Sequence, residues 1–237
     1  MSLPSALITG GTSGIGLSIA EHISESFQLV NIGRSKPSPK NQGLFTHSLS
    51  LDLFSNEKII KEALFSLRGK VDRFDAVIAS AGMQKISPLV GIREKDLQNI
   101  FQLNVFANVF LLKYLIRFNL LNDGASIVFL SSSSSDRPDS GLASYSMTKA
   151  AVDNLVKVAA SELSQKKIRV NSIRPGLVET PMISAEPAYR GEFLKHEIQK
   201  YKLGPGKACY IAKLVKFLIS DESFWITGQN ITIDGGR

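Results

Sequence analysis

Short β-branched runs alternate with longer helical patterns from one end of this chain to the other, and few folds accept that order. Strands are expected at Ala6–Thr9, Gln28–Ile32, Leu44–Leu49, Ala76–Ala79, Ser126–Leu130, Arg169–Ile173 and Asn230–Ile233. Helices are expected at Ile15–Ser26, Ser55–Leu67, Lys95–Phe118, Ser144–Ser164 and Ala208–Ile219. Alternation of this kind builds βαβ units, whose parallel strands must be covered on both faces.

Right-handed crossovers then give an α/β fold, a doubly wound Rossmann-type parallel sheet of about seven strands with helices on both faces. No repeat or linker divides the 237 residues, so residues 1–237 are read as a single domain. Two stretches break the alternation. Ser35 to Gly43 is rich in Pro, Ser and Lys and reads as a loop where such folds often place a helix. Pro181 to Gly206 reads as a small substrate lid, with a short helix from Tyr189 to Tyr201. Met182, Ile183, Tyr189, Phe193 and Tyr201 would line its pocket or pack its own small core.

Composition narrows the function classes. A hydrophobic fraction of 43% is that of a globular chain and too high for a disordered one. Cys209 is the one cysteine, so no intrachain disulfide or cysteine zinc site can form. His22, His47 and His196 are scattered, and no metal is expected. Neither a secretory signal nor a run of 18 apolar residues is found, which points to a cytoplasmic protein with no membrane partner. The net charge of +7 suits an anionic partner: nucleic acid, a phosphorylated cofactor or an acidic carrier. Because the basic residues are dispersed, with no aromatic-interleaved cluster, nucleic acid is set aside.

Thr9-Gly10-Gly11-Thr12-Ser13-Gly14-Ile15-Gly16 follows the first strand and opens the first helix. Glycines there let the backbone turn tightly and approach a phosphate, and the helix N-terminus supplies unpaired N–H groups. A lone glycine motif is weak; this one has the strand–turn–helix context it needs. Downstream, Tyr145 and Lys149 stand four residues apart and share a helix face. A free phenol has a pKa of about 10, and a fixed cation beside it lowers that value. Reaching about 7 takes roughly 4 kcal/mol of differential stabilisation. Such a pair also arises by chance on many helices, so it carries weight only with the rest of the chain.

Together, T-G-x-x-x-G-x-G and Tyr145-x-x-x-Lys149 resemble the short-chain dehydrogenase/reductase family, and the resemblance runs from Ala6 to Gly236. Asp52-Leu53 looks like the family's adenine-contacting pair, and Ala81-Gly82 ends its N-N-A-G segment. Asn104-Val105 matches the catalytic asparagine motif. Ser132 lies thirteen residues before Tyr145, the usual spacing for the catalytic serine, which selects it from the run Ser131–Ser135. Pro175-Gly176-x-Val178-x-Thr180 resembles the segment that holds the nicotinamide amide. Ile226-Thr227-Gly228-Gln229 and Asp234-Gly235-Gly236 resemble the family's C-terminal signature. Two departures stand out. Ala79 and Ser80 replace the two asparagines of N-N-A-G, and the interval from Arg34 to Asp52 is short.

The resemblance implies hydride transfer between a nicotinamide and a carbonyl or alcohol. Tyr145 would be general acid in reduction and general base in oxidation. Lys149 would lower its pKa and hold the nicotinamide ribose. Ser132 would hydrogen-bond the substrate oxygen, and Asn104 would hold a water that links Lys149 to solvent. Gly33 stands where NAD enzymes tend to carry Asp, and Arg34 and Ser35 follow. A guanidinium forks well onto a 2′-phosphate, so NADP(H) is favoured over NAD(H). The pattern is similar to 3-oxoacyl-acyl-carrier-protein reductases, so the small-molecule substrate is expected to be a ketone, carrier-bound or free, with sugars, steroids and diketones as alternatives. A cofactor-binding regulatory protein on the same fold is the rival class, and it has no use for the acid–base set. The family's habit implies a homotetramer or homodimer through the helices Lys95–Phe118 and Ser144–Ser164.

Overall fold

Side chains along the first strands alternate between two apolar clusters, as a strand buried on both faces requires. In β1 (Ser5–Thr9), Ala6 and Ile8 point to one cluster and Leu7 to the other. In β4 (Phe74–Ala79), Ala76 and Ile78 oppose Val77 and Ala79, and in β5 (Leu121–Leu130) Val128 opposes Ile127 and Phe129. The computed structural model describes residues 3–185 and 191–237.

The remaining elements follow in chain order. They are α1 (Gly14–Ile23), β2 (Gln28–Gly33), β3 (His47–Ser50), α2 (Glu57–Phe65), α3 (Glu94–Phe101), α4 (Ala107–Arg117), α5 (Ala143–Glu162) and β6 (Arg169–Pro175). After them come β7 (Val178–Glu179), α6 (Pro181–Ala185), α7 (Gly191–Gln199), β8 (Gly206–Lys207), α8 (Ala208–Leu218) and β9 (Asn230–Ile233). Seven parallel strands form one sheet in the order β3-β2-β1-β4-β5-β6-β9. On one face α1 and α8 supply Ile19, Ile23, Ile211 and Val215; on the other α2, α4 and α5 supply Ile60, Leu64, Leu111, Leu115, Val152 and Val156. Arg169 fixes the far end of α8: its guanidinium donates to Leu218 O, Ser220 O and Ser223 O at 2.9–3.1 Å, satisfying carbonyls that the helix leaves open.

Three expectations shift. The strand expected at Leu44–Leu49 begins at His47 instead, because Leu44 and Phe45 pack against the α1–α8 cluster and a 3₁₀ turn, Pro39–Leu44, occupies the loop. The helix expected at Lys95–Phe118 is interrupted by a π turn at Gln102–Phe106, centred on Asn104. Within Pro181–Gly206 there are two short helices, with α7 starting at Gly191; Tyr189 and the side chain of Phe193 lie outside the described residues. β7 and β8 pair with each other and hold the two ends of this excursion together. The helical run Glu94–Arg117 is long and apolar enough to cross a membrane by length and composition, but half of its apolar window is buried inside the fold.

Candidate active site

Strand order reverses between β1 and β4, and in open α/β sheets ligands settle beyond the carboxyl ends of the strands at that point. A cleft of about 280 Å³ lies there, lined from the ends of β1, β2, β4, β5 and β6 and from the 181–206 excursion.

Its floor is the glycine turn. Gly10 and Gly14 have φ of +70° and +52°, a region that disfavours side chains. A Cβ on Gly16 would stand 2.3 Å from Gly10 O, so only glycine fits. Gly10, Thr12, Ser13, Gly14, Ile15 and Gly16 all line the cleft. Ser13 caps α1 without a side-chain bond, and no acidic residue sits in the first turn. The orphan amides of the helix start are therefore left for an anion. The loop is braced from behind. Asn31 Oδ1 accepts from Gly11 N at 2.9 Å while its Nδ2 donates to Ser48. Thr9 Oγ1 accepts from Ser80 N and Ala81 N at 3.1 Å. Asn31 was not singled out from sequence; it acts across twenty residues and carries no local signal.

Arg34, Ser35, Asp52 and Leu53 line the cleft beyond β2 and β3. Arg34 is exposed, and no described carboxylate pairs with it. The Asp52 carboxylate accepts from Phe54 N at 3.1 Å and so shapes its own turn, with Leu53 buried beneath.

The same cleft holds the acid–base residues. Ser80, Ala81, Gly82, Ser132, Tyr145, Lys149, Pro175, Gly176, Val178 and Thr180 all line the cleft. On α5 the Lys149 ammonium lies 5.6 Å from the centroid of the Tyr145 ring. It donates to Leu130 O at 2.7 Å, and burial pushes its pKa down to about 8. Ser131 Oγ donates to Lys149 O at 3.2 Å, so the serine next to Ser132 anchors the helix. Ser132 Oγ accepts from Ser134 N at 3.2 Å, which orients it in its 3₁₀ turn.

Asn104 is placed differently from the other site residues. It is fully buried and does not line the cleft. Its side chain brackets Met83, accepting from Met83 N and donating to Met83 O, both at 2.9 Å, and it donates to Thr148 Oγ1 at 3.1 Å. A Cβ on Gly82 would meet Asn104 Oδ1 at 3.3 Å and Lys149 Nζ at 3.5 Å, so Asn104 and Lys149 flank the same glycine.

Asp139 lies in the loop that leads into α5. It receives Lys200 Nζ at 3.3 Å and the Arg237 guanidinium, and it lines the cleft with Glu197, Tyr201 and Arg237. Lys200 also donates to Glu197 at 2.5 Å, and Arg137 bonds Asp234 and Arg237 O. Burial alone would lower the Lys200 ammonium; its bonds to Glu197 and Asp139 outweigh that and raise it.

A family model described as enoyl-(acyl carrier protein) reductase matches residues 10–237. The L-2,3-butanediol dehydrogenase of Corynebacterium glutamicum is 31% identical, over 98% of this chain and 97% of its own. A 3-oxoacyl-[acyl-carrier-protein] reductase of Thermotoga maritima is 32% identical, over 75% of this chain and 71% of its own. A solved short-chain dehydrogenase of Burkholderia cenocepacia, in complex with NADP, superposes with a TM-score of 0.87 at 26% identity, covering 98% and 97% of the two chains. The chain belongs to the short-chain dehydrogenase/reductase family. It is an NAD(P)-dependent oxidoreductase of alcohol and ketone substrates, and the glycine cradle at the start of α1 fits the pyrophosphate of such a dinucleotide.

Proposed function

We propose that this enzyme interconverts a ketone and a secondary alcohol with NADP(H), Tyr145 passing the proton. The observation that carries the reading is that the Tyr145–Lys149 pair lines the same cleft as the glycine cradle. Bound across that cleft, the nicotinamide supplies or takes the hydride. Ser132, with its hydroxyl oriented by Ser134 N, holds the substrate oxygen. Tyr145 donates its proton to that oxygen in reduction and recovers it in oxidation. Lys149 favours the phenolate through its charge and holds the nicotinamide ribose. Asn104 fixes the Met83 backbone beside Lys149 and supports a water path to solvent. Arg34, exposed and paired with no carboxylate among the described residues, and Ser35 hold the 2′-phosphate. Asp52 and Leu53 border the adenine, and the segment Pro175 to Thr180 takes the nicotinamide amide.

A 3-oxoacyl thioester is the first substrate class, supported by the Thermotoga relative and the basic surface. A short vicinal hydroxyketone or diketone is the second, favoured by the ionic wall of Asp139, Glu197 and Arg237, which offers partners to a second oxygen. An NADPH-oxidation screen over acetoacetyl thioesters, diketones, keto sugars and steroids tests the reading. With the substrate so found, Tyr145→Phe is expected to lose roughly 100- to 10,000-fold in kcat. Equal turnover by that variant overturns the mechanism.

A further inference from the structure

Lys149 is buried, and one turn further along α5 lies a second buried charge, Asp153, at 3% exposure. Asp153 meets β6: its carboxylate accepts from Ser172 Oγ at 2.9 Å and from Arg174 Nε at 2.8 Å. The Arg174–Asp153 ion pair is largely shielded, with the Arg174 side chain 17% exposed. Asn230 in β9 adds a donor to Asp153 O. Four residues apart on a helix, Asp153 and Lys149 share a face. Arg174 immediately precedes Pro175 and Gly176, which line the cleft.

The surroundings of Lys149 make Asp153 matter. On its own helix the titratable neighbours are Tyr145 and Asp153. The other elements packed on it bring groups that do not titrate: the Leu130 carbonyl from β5, Gly82 after β4 and the Asn104 amide from the π turn. Toward Asp153, β6 presents Arg174 and the Ser172 hydroxyl, and β9 presents the Asn230 amide. One carboxylate thus faces a buried ammonium, and one guanidinium partly cancels that carboxylate.

We propose that Asp153 is a positioning residue that sets how readily Lys149 stays protonated, and that Arg174 tempers it through their buried ion pair. The inference rests on Lys149 acting as the charged partner of Tyr145 in the proposed reaction. Burial lowers the ammonium and the Asp153 charge opposes that lowering, in keeping with the geometry. Charge interactions across a few ångströms of protein are strong enough to move a pKa measurably.

The two partners act in opposite directions. Asp153→Asn removes the supporting charge and moves the Lys149 midpoint down, by on the order of half a unit. Arg174→Gln removes the opposing charge and moves it up by a similar amount, whereas Arg174→Lys, which keeps the cation, stays near the parent value. The test is a carbon NMR titration of lysine Cε in the cofactor-free protein, with the Lys149 signal assigned by Lys149→Arg. It is paired with the alkaline limb of kcat/KM for ketone reduction, which should shift with the NMR midpoint. Opposite shifts in Asp153→Asn and Arg174→Gln support the proposal. Shifts of the same sign, or none, leave the pair a structural tie and overturn it. Tyr145→Phe separates this from the parent reading: if that variant stays active, the reaction assignment fails, whatever the titrations give.

Discussion

Single residues in this cleft trade stability for chemistry, and Lys149 shows the sign. Its ordinary pKa is near 10.5 and burial brings it to about 8. Between those values the unfolded chain binds the proton that the folded chain has lost, so stability rises with pH across that window. Below about 8 the full cost of the buried ammonium is present. Replacing it by an apolar group of similar length should relieve that cost: Lys149→Met is expected to abolish activity and to stabilise the cofactor-free protein at neutral pH by about 1–3 kcal/mol. Urea denaturation at neutral pH and again near pH 10 measures this, with the gain shrinking at the higher pH; a variant less stable at both would contradict it. Arg34 is the converse, an exposed charge that, in the proposed function, acts on the ligand. Arg34→Ala should weaken NADPH binding by roughly tenfold or more and leave NADH little changed, since a charge-assisted bond contributes about 1.5–3 kcal/mol. Equal losses in a fluorescence titration with both cofactors would remove the argument for NADP(H).

Elements divide by whether their cause is local. The glycine turn and the 145–149 pair were legible because each is specified within a few residues: positive φ at Gly10 and Gly14, a helix face for Tyr145 and Lys149. The parallel sheet was legible because both of its faces are buried, which leaves continuous apolar runs. The π turn was not. The pattern of Lys95–Phe118 is helical throughout; the widening at Gln102–Phe106 accompanies the Asn104 side chain's bonds to Met83 and Thr148, 21 and 44 residues away. Nor was the start of β3, where Leu44 and Phe45 have strand-like composition but are claimed by the cluster under α1 and α8. The partners of Asp139 were not legible either, since Lys200 and Arg237 lie 61 and 98 residues downstream.

At the scale of the whole molecule, those distant bonds join three segments that the sheet does not hold. Asp139 belongs to the loop between Ser132 and α5, Lys200 and Glu197 to the excursion tied at its base by β7 and β8, and Arg237 to the tail after β9. In the proposed reaction the wall they make borders the substrate, and the turn after β1 borders the cofactor. These pairs are half-buried or buried and each joins separate segments, so they fix the shape of the wall. Asp139→Asn therefore removes the acceptor charge shared by Lys200 and Arg237 without touching the core. The expected outcome is faster amide hydrogen exchange across 194–203, unchanged exchange in β1, β4 and β5, a several-fold rise in substrate KM and an unaltered cofactor affinity. If exchange in 194–203 stayed at the parent rate, the wall would be held by its apolar contacts, with Tyr201 and Leu177 in place of the charges setting its shape.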